Sequence, residues 1–104
     1  MASTLTPVDA RAELRELAPQ VRDALVLTRR GRVLAGPSQL APAAKDLLRA
    51  TRAPALEAAT EKGTVFAARS PRYAAIVLAR RGALAGPVLF GVRRVLEALE
   101  AAQE

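Results

Sequence analysis

Short apolar runs alternate along this chain with stretches of helical spacing, and that alternation sets the expected architecture. Ala24-Leu25-Val26-Leu27 is a continuous apolar run, the mark of a strand buried on both faces. Arg32-Val33-Leu34-Ala35 is a second strand, reached through Thr28-Arg29-Arg30-Gly31, a polar turn whose glycine suits positive φ. Thr64–Arg69 and Tyr73–Ala79 read as two more strands around the turn Ser70-Pro71-Arg72. Ala83-Leu84-Ala85, after Arg80-Arg81-Gly82, reads as a short fifth.

Helical signals frame and divide these strands. Thr6 is placed to cap a first helix, Pro7 is preset for its first turn, and Asp9 sits where a carboxylate meets the positive helix end. Val8, Leu14, Leu17 and Val21 give it a partial apolar face, and Pro19 ends it at about Ala18. The Ala-rich stretch from Leu40 to Lys62 carries a helical face of Leu40, Ala43, Ala44, Leu47 and Leu48, with Pro42 in the first turn. Pro54 interrupts it, so it is either one kinked helix or two short ones. Leu56 and Ala59 belong to its second half, and Gly63 is placed as its C-cap. Val88, Val92, Val95, Leu96 and Leu99 define a closing helix, in which Gly91 marks a close packing contact.

The expected fold class is therefore α/β (α+β): a single, mainly antiparallel sheet of 4–5 strands with helices on both faces, in the order α-β-β-α-β-β-(β)-α. Residues 1–5 read as a flexible N-terminus and residues 6–104 as one domain.

Composition narrows the function. The chain has no Cys and no His, so disulfides, thiolate nucleophiles and the commonest metal ligands are excluded. No phosphate loop, dinucleotide fingerprint or nucleophile elbow occurs. The expectation is a protein with no catalytic residues, no metal and no cofactor. Glu57 and Glu61 are four apart, which an exposed charged face explains better than acid–base chemistry. The first residues lack the basic start and apolar run of a signal peptide, and no run is long enough to span a membrane. A cytoplasmic location is the default.

The net charge is +6, and 14 of the 16 basic residues are Arg. A surface of this kind attracts an acidic partner, although a GC-rich genome's bias toward Ala, Arg, Gly and Pro gives the same charge. The Arg content and lack of Asn also suit a thermophile. The phrase strand–Arg-Arg-Gly–strand occurs twice, at Leu25–Pro37 and at Ile76–Pro87. It makes Arg29, Arg30, Arg80 and Arg81 candidate anion-binding residues, set against the plainer reading that turns between buried strands must be polar.

The segment from Val21 to Ala35, with its apolar strand, polar turn ending in Gly and second apolar strand, resembles the roadblock/dynein-light-chain domain. Leu89-Phe90-Gly91-Val92-Arg93-Arg94-Val95-Leu96 is similar to that family's closing helix, and the Ala-rich middle to its central helix. The resemblance covers residues 6–100. Pro54 and the very short segment Ala83–Ala85 depart from the family pattern. The resemblance implies a non-enzymatic homodimer in which the strand after the central helix pairs with its copy and the central helices pack side by side. On this sequence it points to Thr64, Val65, Phe66 and Ala67 as the dimer edge and to the stretch from Ala41 to Lys62 as the paired helices. Bacterial relatives regulate small Ras-like GTPases, which makes Lys45, Arg49 and Arg52 candidate partner contacts. Two other functions stand beside this one. A basic nucleic-acid-binding domain would use the Arg-rich hairpin turns, though it lacks the aromatics of a stacking platform. A small-ligand sensor would need a more distinctive polar cluster than the sequence offers.

Overall fold

The computed structural model describes residues 5–50 and 52–102. In chain order they form α1 (Pro7–Arg15), β1 (Val21–Thr28), β2 (Val33–Ala35), a 3-10 turn (Ser38–Leu40), α2 (Ala41–Ala50), β3 (Ala55–Thr60), β4 (Gly63–Arg69), β5 (Tyr73–Ala79) and α3 (Ala85–Ala102). The flexible end expected over residues 1–5 lies outside the described residues except for Leu5, which packs against the core.

The five strands make one sheet in the order β2-β1-β5-β4-β3, antiparallel at every pairing. Alternation along the strands divides the core in two. On one face, Val26, Phe66, Ala68, Ala75 and Val77 meet Leu14 of α1 and Val88, Val92, Val95, Leu96 and Leu99 of α3. On the other, Leu25, Leu27, Ala67, Ala74 and Ile76 meet Ala44 and Leu48 of α2. Helices cover both faces, and the element order matches the sequence expectation. No helix among the described residues is long and apolar enough to cross a membrane.

The local signals at the N-terminus act as their chemistry dictates. Asp9 N–H donates to Thr6 Oγ1 at 3.2 Å, and Thr6 N–H donates back to the Asp9 carboxylate at 3.3 Å. This capping box, with Pro7 at the first position, fixes the start of α1. The helix stops at Arg15, earlier than Pro19 alone requires, because the residues after it must turn the chain into β1. Arg11 then ties α1 to β1: its Nη2 lies 2.7 Å from Asp23 Oδ1 and its Nε 3.0 Å from Ala24 O. The β1–β2 hairpin closes through Gly31 N–H to Thr28 O and Arg32 N–H to Thr28 Oγ1, with Gly31 at φ 96°.

Two expectations are corrected. Residues 55–60 are a strand and not the second half of a helix. Pro54 biases residue 53 away from helical geometry, and the segment pairs residue for residue with β4 across the turn Glu61-Lys62. The pairing of a sheet edge outweighs the high helix propensity of alanine. Gly63 is accordingly no C-cap. It opens β4 at φ 145°, where a Cβ would collide with the backbone carbonyl of Ala79.

The second correction concerns Ala83–Ala85, which form no strand. Strand β5 has β1 on one side and β4 on the other, so a hairpin partner for it has no edge to join. The chain instead leaves the sheet at Arg80-Arg81-Gly82 and enters α3 at Ala85, with Gly86 and Pro87 inside its first turn. The fifth strand is β3. The two halves of the repeated phrase thus fold differently, one as a hairpin and one as a strand-to-helix turn.

Candidate binding surface

Lys45 and Arg49 are four residues apart on α2 and so share one side of it. Both are exposed, while Leu48 between them is buried against the sheet. Arg52 follows just beyond the end of the helix. The β1–β2 turn lies alongside and brings Arg29 and Arg30 to the same place. Arg69, at the end of β4, completes the set. Together these six cations, with Gly31 and Leu48, line an open groove of about 490 Å³.

The walls of the groove are fixed by backbone contacts. Arg29 Nη1 donates to Ser70 O at 3.0 Å, and Arg29 N–H donates to Arg72 O at 3.0 Å, which joins the β1–β2 and β4–β5 turns. Arg69 Nη1 donates to Ala53 O at 3.3 Å, and Arg69 N–H donates to Pro54 O at 2.9 Å. The β4–β5 turn is held in addition by Glu100 of α3, whose Oε2 accepts from Ser70 Oγ at 2.7 Å and from Arg72 N–H at 2.9 Å. Among the described residues no carboxylate lines the groove. Among the described residues no group of three or more His, Cys, Asp or Glu comes together as a metal site.

The sequence candidates are redistributed by this geometry. Lys45, Arg49 and Arg52, named as partner contacts, and Arg29 and Arg30, named as anion ligands, form one surface. Arg80 and Arg81 lie at the opposite end of the sheet, where Arg80 N–H donates to Gln20 O. The two Arg-Arg turns therefore do not grip a common ligand. Arg69 was no sequence candidate; a single Arg closing a strand gives no periodic signal, and only the pairing of β4 with β3 and β5 places it here.

Thr64, Val65, Phe66 and Ala67 are not at an edge. Strand β4 is paired on both sides, with Phe66 opposite Glu57 of β3 and Val77 of β5. Phe66 and Ala67 are fully buried. The open edge on that side is β3, whose Ala55, Leu56 and Ala58 are half-buried and whose Glu57, Ala59 and Thr60 are exposed. Beside it, α2 leaves its face of the sheet partly uncovered. Leu40, Ala43, Leu47, Val65 and Leu78 line an apolar cleft of about 80 Å³ there.

No family model and no curated protein matches this sequence. Solved structures do match its fold. A Roadblock/LC7 domain from Streptomyces avermitilis aligns with a TM-score of 0.78 at 14% identity, covering 92% of this chain and 96% of that one. The gliding protein MglB from Thermus thermophilus aligns at 0.72 and 20% identity, covering 99% and 98%. An MglB described with a tetrameric arrangement aligns at 0.76 and 21% identity, covering 93% and 88%. The chain has the Roadblock/LC7 fold, as the resemblance implied.

Proposed function

We propose that this protein is a non-enzymatic adaptor that acts as a homodimer and regulates a small Ras-like GTPase. The observation that carries the reading is the open edge of β3. In the roadblock resemblance the strand following the central helix pairs with its copy, and here that strand is Ala55–Thr60. It is six residues long and apart from Glu57 carries none of the charges that blunt an edge, whereas the other edge, β2, has three residues.

A second copy laid antiparallel along β3 would extend one sheet through both subunits and bring the two α2 helices together. Ala43 and Ala50 are exposed on α2 and are small enough for close approach of a second helix. The half-buried Leu47, Leu56, Val65 and Leu78 would gain cover from it. Self-association of this fold has a precedent in the MglB with a tetrameric arrangement. The helix pair would present Lys45, Arg49 and Arg52 of each copy, a basic surface suited to an acidic face of a GTPase.

Sedimentation velocity at micromolar concentration is the first test, and a dimer is expected. Mixing with a Ras-like GTPase from the same organism, loaded with GDP or a non-hydrolysable GTP analogue, should give a co-sedimenting complex that prefers one nucleotide state. A strict monomer that leaves every such GTPase unbound overturns the reading.

A further inference from the structure

We propose that the groove between the β1–β2 turn and α2 is a binding site for a small polyphosphate anion. Arg30, Lys45, Arg49 and Arg52 supply the charge, and Arg29 and Arg69 shape the wall.

The first ground is convergence. These side chains come from three segments far apart in sequence: a hairpin turn, a helix with the link after it, and a strand end. Every described ionisable residue lining the groove is a cation. Among the described residues, Arg30, Lys45, Arg49 and Arg52 have no carboxylate at ion-pair distance; the ion pairs Arg11–Asp23 and Arg72–Glu100 lie elsewhere. Like charges gathered in a concavity focus their field and repel one another until an anion enters. Arg80 and Arg81, by contrast, stand at the far end of the sheet and take no part in this cluster.

The second ground is how the walls meet. Arg29 is anchored to the Ser70 carbonyl, which fixes one wall, and the stem of Lys45 lies across Gly31, so α2 and the turn touch at the floor of the groove. Guanidinium forks on the two walls can then reach the oxygens of one tetrahedral anion.

The third ground selects the ligand class. A volume of about 490 Å³ suits a small molecule. The lining has no aromatic side chain on which a base could stack and a single large apolar residue, Leu48. A protein segment anchors through aromatic or aliphatic side chains in apolar pockets, which this groove lacks. A chain of phosphates needs only cations. Such a chain comes as free oligophosphate or as the tail of a nucleotide, and the groove reads the part they share. The inference shares Lys45, Arg49 and Arg52 with the proposed GTPase surface, but it requires neither the dimer nor the GTPase.

Calorimetric titration of the full chain with tripolyphosphate at low ionic strength tests it. One saturable site is expected, and Lys45→Glu/Arg49→Glu should weaken it at least about tenfold. Arg80→Glu/Arg81→Glu makes the same charge change at the far end of the sheet and should alter affinity less than about twofold. All four side chains are exposed, so circular dichroism should show both variants folded. ATP as a parallel titrant separates the sources: tighter ATP assigns the nucleotide-borne chain, and equal or weaker ATP the free one. No saturable binding, or an equal loss in both variants, overturns the site. So does a hexaglutamate peptide bound as tightly with the same dependence on Lys45 and Arg49, which would assign the groove to an acidic protein segment.

Discussion

The side chain of Lys45 lies directly across Gly31. A Cβ built on that glycine would stand 2.8 Å from Lys45 Cγ and 3.1 Å from its Cε. Gly31 also holds φ at 96°. Gly31→Ala therefore carries two costs, a strained backbone and a displaced lysine, and is expected to destabilise the fold by about 1–3 kcal/mol. Urea denaturation measures this. Repeating it in a Lys45→Ala background should recover the steric part and leave the backbone part. An alanine variant as stable as its own background would contradict the backbone strain, and equal losses in the two backgrounds would contradict the contact.

On the other face, Leu17 fills the notch left by Gly91 of α3. A Cβ at Gly91 would collide with Leu17 Cδ2, the flexible end of the side chain. Alanine in a helix interior is worth about 1 kcal/mol over glycine, so the collision and the propensity oppose each other. Gly91→Ala should destabilise the parent modestly. In a Leu17→Ala background the same substitution should stabilise, by about 1 kcal/mol. The sign reversal is the expected result, and thermal melts of the four proteins decide it.

What was legible in the sequence was what local chemistry decides. The run Ala24–Leu27 and the glycine of Arg29-Arg30-Gly31 describe the β1–β2 hairpin, and Thr6-Pro7-Val8-Asp9 describes the start of α1. Residues 55–60 were not legible, since alanine favours a helix until a partner strand is present. The topology decided two further points that no local signal carries. It gave β5 two neighbours, which rules out a strand at Ala83–Ala85. It also turned the β1–β2 tip toward α2, so that candidates named for separate reasons became one groove, and it sent Arg80 and Arg81 to the other end.

Asp23 links α1 to β1 and gives the fold a pH dependence. Burial alone would raise its carboxyl. The hydrogen bonds from Arg11 and from Ala24 N–H, with the charges of Arg11 and Arg15, outweigh burial and hold it below the ordinary carboxylate range. A carboxylate lowered in the folded state stabilises it at neutral pH, and that contribution fades as pH falls through the lowered value. Asp23→Asn should cost about 1 kcal/mol at pH 7 and almost nothing in strong acid, where both proteins carry an uncharged group. Parallel stability curves across the acid range would show instead that the pair is inert.

The edge of β3 offers a test that separates pairing within a subunit from pairing between subunits. Arg69 N–H donates to Pro54 O, and Thr60 faces Gly63 across the turn. Along an antiparallel strand the bonding direction alternates, so Leu56, Ala58 and Thr60 direct their backbone groups at β4. Glu57 and Ala59 direct theirs outward. Proline is tolerated on an edge strand where its missing N–H faces outward. Glu57→Pro should leave the monomer folded, with its circular dichroism unchanged, and lower the dimer fraction in sedimentation. Ala58→Pro removes a ladder bond to β4 and should destabilise the subunit itself, by about 3 kcal/mol or more if the ring is as disruptive as in a helix. Should Glu57→Pro sediment as the parent does, the β3 edge is not the contact, and the search for one moves to the apolar side of α2.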